Sequence, residues 1–162
     1  MKTRKKTLLF WLLAFVLTLI IFVYQRMTGP TQPVTAREMF NGKEVSYRLL
    51  RSQTIDRNLP VRMKAIDKTV TGFIDHRRYR TGDPWQEVEM TRQGDFLIGE
   101  IPAETSPAAK VEYTIRVVTD NRSYLIHHSK SIVARFRGEV PAFFLIAHII
   151  FMILGFVFAL RT

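Results

Sequence analysis

The chain has no cysteine. Disulfides, thiolate metal sites and thiol nucleophiles are therefore excluded. Histidine is scarce: His76, His127, His128 and His148 are the only four, and none stands with another His or a carboxylate at a familiar ligand spacing. His127 and His128 are adjacent, so on a strand they point to opposite faces. No G-x-S-x-G, P-loop or G-x-G-x-x-G occurs, which removes the common nucleophile-elbow and phosphate-cradle signatures. Glu87 and Glu89 share one face of a short alternating run, the usual pattern of a solvated strand. The middle of the chain also lacks any amphipathic helical period, which argues against parallel α/β architecture. A non-enzymatic protein without cofactor or metal is the expectation.

Acidic residues are missing from both ends: all 14 lie between Glu38 and Glu139. The ends instead carry two uncharged apolar runs, residues 7–24 (TLLFWLLAFVLTLIIFVY) and 141–160 (PAFFLIAHIIFMILGFVFAL). At about 1.5 Å per residue, twenty helical residues span roughly the 30 Å hydrocarbon core of a bilayer. Lys2, Arg4, Lys5 and Lys6 precede the first run directly, and basic residues beside a span stay on the cytoplasmic side. A cleaved signal peptide would have an apolar core of about 7–15 residues with a small-x-small site close behind it. Here the run is eighteen residues long, and Val34-Thr35-Ala36 lies ten beyond Tyr24, so a retained anchor is expected.

The domain plan follows. Residues 1–6 are a cytoplasmic basic segment, 7–25 a first transmembrane helix and 26–33 a linker built on Thr-Gly-Pro-Thr-Gln-Pro. Residues 34–139 form an extracytoplasmic β-domain, 140–160 a second transmembrane helix and 161–162 a cytoplasmic end. The expected location is a cell inner membrane with the β-domain on the periplasmic side. The chain would be a two-span protein or the front of a longer one.

From Arg26 to Glu139 the charge is 19 basic against 14 acidic residues, a net +5. The period there is two. Val45, Tyr47 and Leu49 alternate with Glu44, Ser46 and Arg48, and Val61, Met63 and Ala65 alternate with Arg62 and Lys64. Val111, Tyr113, Ile115 and Val117 alternate with Glu112, Thr114 and Arg116. Further strands are predicted over 34–40, 70–75, 86–90, 95–101, 123–127 and 132–137. Asn41-Gly42, Gln93-Gly94 and 119–121 supply turns, the first of them a hairpin signal. Short strands at close intervals predict an all-β antiparallel sandwich.

Residues 106–117 (SPAAKVEYTIRV) resemble the penultimate strand of fibronectin type III and other immunoglobulin-like modules. The resemblance implies that Tyr113 is a tyrosine corner, its hydroxyl bonded to backbone a few residues upstream. Trp85 falls mid-domain, unlike the early-strand Trp of those families. Residues 78–85 (RYRTGDPW), 110–113 (KVEY) and 135–141 (RFRGEVP), followed by Ala147-His148, resemble an uncharacterised family of bacterial multi-pass membrane proteins with such an outer domain. That resemblance implies a topology and no reaction. The fold class expected overall is an immunoglobulin-like, fibronectin type III-like sandwich flanked by two transmembrane helices.

Residues 76–80 (HRRYR) are the densest basic stretch outside the N-terminus. Read as a loop, Arg77, Arg78, Tyr79 and Arg80, with Trp85 nearby, offer contact to anionic headgroups or an acidic partner. Nucleic acid is not expected for a domain outside the cell. His148 lies inside the second apolar run, where an ionisable residue faces protein more often than lipid. At 3–4 spacing it shares a face with Met152, Gly155 and Ala159. Gly155-x-x-x-Ala159 and Ala14-x-x-x-Thr18 are small-xxx-small pairs that let helices approach. Depth matching predicts a His148–Thr18 bond, with Gly155 level with Leu9–Trp11. The functional expectation is a scaffold or recognition subunit in a lipid bilayer with other membrane helices. One alternative is a transport or proton-coupled component using His148. The other is an envelope-ligand receptor with an aromatic surface near Tyr79 and Trp85.

Overall fold

The computed structural model describes residues 2–40, 43–65, 67, 69–119, 122–127 and 130–161. They fall into two compact units, residues 1–29 with 140–162, and residues 30–139.

The first unit is a pair of helices, α1 (Lys2–Thr28) and α2 (Ala142–Arg161). Both are long and apolar enough to cross a membrane. Trp11 lies edge-on to Phe158 at 5.6 Å, and Arg161 sits 5.5 Å from the same indole. Phe22 meets Phe156 at 5.7 Å, so contact order along α1 is reversed along α2, as in an antiparallel pair. Ala14 and Thr18, one turn apart, are the buried residues of α1.

The second unit is one mixed sheet curled into a half-barrel. Its strands are β1 (Val34–Phe40), β2 (Lys43–Leu49), β3 (Ser52–Thr54), β4 (Leu59–Lys64) and β5 (Thr71–Arg78). They continue as β6 (Gln86–Gln93), β7 (Phe96–Ile101), β8 (Lys110–Thr119), β9 (Arg122–Leu125) and β10 (Ile132–Arg137). The order across the sheet is β1-β2-β4-β7-β6-β5-β8-β10-β3, with β9 also on β8. Every pairing is antiparallel except β10 with β3, a difference from the purely antiparallel expectation.

Strand β6 makes the sheet continuous. Residues 86–90 pair with β5, and residues 91–93 pair with β7. The curl closes around Leu49, Leu59, Val61, Ile74, Leu97, Ile101, Ile115 and Phe136, each 1% exposed or less. Burying side chains of this size contributes on the order of 2 kcal/mol each. Gly99 faces inward at a close approach: a Cβ there would lie 2.6 Å from Ile74 Cδ1 and 3.2 Å from Met90 Cγ. The β1–β2 side approaches the β9 end through Phe40 with Tyr124 at 6.1 Å and Tyr47 with His127 at 6.4 Å. Tyr47 Oη donates to Glu38 at 2.6 Å.

Tyr113 is fully buried, and its hydroxyl donates to the Leu50 carbonyl at 2.8 Å. The expected bond to backbone exists, but the acceptor is 63 residues back, between β2 and β3. This corrects the local tyrosine corner. The bond ties β8 to the start of β3, a segment too short to announce itself by period.

Candidate functional site

The 76–80 stretch is not a simple loop. Alternation in β5 turns Gly72, Ile74 and His76 inward and Phe73, Asp75 and Arg77 outward. The strand runs to Arg78, and Arg80 then takes a left-handed φ of 60°.

Antiparallel register against β8 decides the charges. Arg77 stands opposite Glu112, and its Nε donates to Glu112 Oε1 at 2.6 Å. Its guanidinium lies 4.5 Å from the Trp85 ring. Arg78 forks onto both oxygens of Glu104 at 3.2 and 3.3 Å. That contact holds the Arg78 guanidinium above its ordinary pKa through the hydrogen bond and charge of Glu104. Arg80 meets no carboxylate among the described residues and sits 5.2 Å from the Tyr79 ring, which Lys110 also approaches at 5.9 Å. Of the arginines offered as a contact to headgroups or an acidic partner, Arg77 and Arg78 are thus paired within the domain. Cations already cover faces of the aromatic rings.

Four residues further along β8, Arg116 is bidentate to Asp75 at 3.0 and 3.1 Å and also meets Glu87. Hydrogen bonding to Asp75, with Glu87 adding to it, raises the Arg116 pKa despite some desolvation. Glu87 therefore belongs to an ion-pair network. Sequence reasoning missed Glu104 and Glu112 as partners because nothing local links residues 26 and 35 positions apart.

The ends of β5, β6, β7 and β8 enclose a cleft of about 430 Å³ whose wall includes His76, Arg78, Asp83, Gln86, Glu104 and Thr105. His76 is 7% exposed. Burial lowers its pKa, opposed by the charges of Glu104 and Asp75. A neutral imidazole at this position can offer one donor and one acceptor to a small polar group. Among the described residues no set of three His, Asp or Glu side chains is arranged to hold a metal. His127 sits in a bend with φ 63°, near Tyr47; His128 lies outside the described residues.

In the helical unit, the Thr18 hydroxyl donates to the Ala14 carbonyl of its own helix at 2.8 Å. His148 is exposed, so the predicted His148–Thr18 bond is not made. The reason is rotational. At about 100° per residue, His148, Met152, Gly155 and Ala159 fall roughly opposite Ile153, Val157 and Arg161, which with Ala147 are the less exposed of the described positions of α2. The small pair on α2 is turned away from the less exposed face of that helix. A Cβ at Gly155 would meet nothing within 4 Å.

Comparison with protein-family models, curated proteins and solved structures finds no match for this chain.

Proposed function

We propose that this chain is a non-catalytic, membrane-anchored recognition or scaffolding subunit whose β-domain lies on the extracytoplasmic side. The observation that carries the reading is the bracketing of a β-unit with its own core by two apolar, span-length helices. The four basic residues before α1 support cytoplasmic termini. The immunoglobulin-like assignment and the kinship with bacterial multi-pass proteins rest on the motifs around Tyr113 and residues 78–85. The open side of α2 at Gly155 favours packing against further membrane helices. A proton-coupled role for His148 would need polar partners on those helices. Arg80, with Tyr79 and Trp85, remains the contact proposed for an acidic partner at the end of β5.

The absence of cysteine makes the test clean. In intact cells, Ser106→Cys should react with a membrane-impermeant maleimide, and Thr3→Cys should react only after permeabilisation. Labelling of Thr3→Cys alone in intact cells would overturn the orientation.

A further inference from the structure

Three cations of the β-domain that are scattered in sequence are gathered by register. Arg48 of β2 stands directly opposite Arg62 of β4. On the next strand, Arg62 faces Ile98 and Lys64 faces Phe96. Directly opposed residues of neighbouring strands share a face, so Arg48, Arg62 and Lys64 form one exposed cluster. Among the described residues none of the three meets a carboxylate. The nearest acids in the ladder have other partners: Glu44 pairs with Arg37 at 3.3 Å, and Glu100 accepts from Asn58 at 2.9 Å.

Like charges directly opposite one another destabilise a sheet. The fold therefore holds the Arg48–Arg62 pair against its own stability. The Arg62 guanidinium lies 3.7 Å from the Phe96 ring centroid. The same face carries an open groove of about 600 Å³, lined by the three cations with Thr35, Pro60 and Phe96. Cations around an apolar floor suit a ligand that is both anionic and partly apolar.

We infer that this face binds the phosphate groups of anionic phospholipid headgroups. Charge complementarity calls for an anion, and the chain itself favours a lipid over a soluble one. Residues 29–33 alone separate α1, a span-length helix, from β1. Thr35, the register partner of Arg48, is the second residue of β1. Seven residues from Thr28 to Thr35 at no more than about 3.6 Å each keep Thr35 within roughly 25 Å of contour from the end of α1. That tether is short enough to keep the domain beside a bilayer that holds α1, where anionic headgroups are concentrated.

The inference rests on the membrane-anchored reading, and the experiment separates the two. The full chain is reconstituted into phosphatidylcholine nanodiscs with and without phosphatidylglycerol. A donor fluorophore on Met39→Cys, exposed on the neighbouring β1 and outside the groove, reports energy transfer to a headgroup acceptor. Transfer should rise with phosphatidylglycerol and fall with salt. Each cation should contribute about fivefold to the docked fraction, and the Arg48→Gln, Arg62→Gln, Lys64→Gln triple on the order of 100-fold. The Arg77→Gln, Arg78→Gln double, which removes cations already paired, should keep the response. Arg48→Gln alone should weaken docking while raising the melting temperature; a merely structural residue would lower both.

Transfer indifferent to phosphatidylglycerol overturns the inference, as does a triple variant that retains the response. Polyphosphate bound at this face without any phosphatidylglycerol effect assigns it to a soluble anion and overturns the lipid. A chain that fails to enter the discs overturns the anchored reading as well, whereas one that enters and ignores headgroup charge overturns this inference alone.

Discussion

The two halves of the curled sheet treat charge in opposite ways. On the outer face of β5, β6 and β8, cations and acids meet: Arg77 directly opposite Glu112, and Arg116 on the diagonal with Asp75 and Glu87, two acids that stand opposite each other. On the outer face of β2, β4 and β7, cation faces cation at Arg48–Arg62, and Lys64 faces a phenylalanine. Both strips are alternating strands with the same inward apolar rhythm. The difference lies in whether register brings an acid within reach of each outward cation, directly or on the diagonal. It teaches that counting basic residues along a chain says little about where a protein is positive.

The largest expected effect comes from breaking the neutralised half. Glu112 is 8% exposed and accepts from Arg77 and from Ser131. Glu112→Gln leaves a partly buried guanidinium without its counter-charge. The loss is discounted from the fully buried case because the Arg77 side chain is 31% exposed, and it should be about 1–3 kcal/mol. Chemical denaturation in detergent measures it, and an unchanged midpoint would mean that the pair is solvated.

Tyr113→Phe touches neither face and serves as the control between them. It removes one hydrogen bond to the Leu50 carbonyl, with an expected loss of about 1 kcal/mol. The response to headgroup charge should stay as in the unaltered chain. A variant that lost that response would show that the cationic face depends on the β8–β3 tie.

These comparisons also mark what could be read from the chain alone. The alternation of Val45, Tyr47 and Leu49, and of Val111 through Val117, placed strands and their inward faces, because a half-buried strand prints its period on its residues. Ser52–Thr54 prints none. Three residues carry no usable alternation, and β3 exists through its parallel pairing with Arg135–Arg137. The pairing of Arg77 with Glu112, or of Arg48 with Arg62, depends on register between strands distant in sequence, and each strand carries only half of that information. The helix pair shows the same limit. Small residues on both helices were legible, but which of them met a partner depended on rotation about α2.

The third test is the pH dependence of His76. Burial lowers its folded-state pKa below the ordinary value, so the unfolded chain binds a proton that the folded chain refuses. The sign follows from linkage. Above about pH 6.5 the residue is neutral in both states and makes no difference, and below it stability falls as pH drops toward the folded-state value. Unfolding midpoints measured at about pH 7 and about pH 5 should show this loss, and His76→Gln should reduce it. An unaltered acid-side slope in the variant would place the titration elsewhere.

The smallest expected effect has the opposite sign. Arg48→Gln removes one member of a directly opposed cation pair and keeps the polar, exposed character of the position. Cross-strand pairs contribute roughly 0.2–1 kcal/mol, and like charges count against the sheet. The variant should therefore be more stable than the parent by a few tenths of a kcal/mol, with the gain shrinking as salt screens the repulsion. Melting in detergent at low and high salt reads both. The same substitution on the other half, Arg116→Gln, should lower the melting temperature, because it strips Asp75 and Glu87 of their shared cation. Opposite signs for one chemical change at two outward arginines would establish that register, and not arginine content, sets the two faces apart; equal signs would dissolve the distinction.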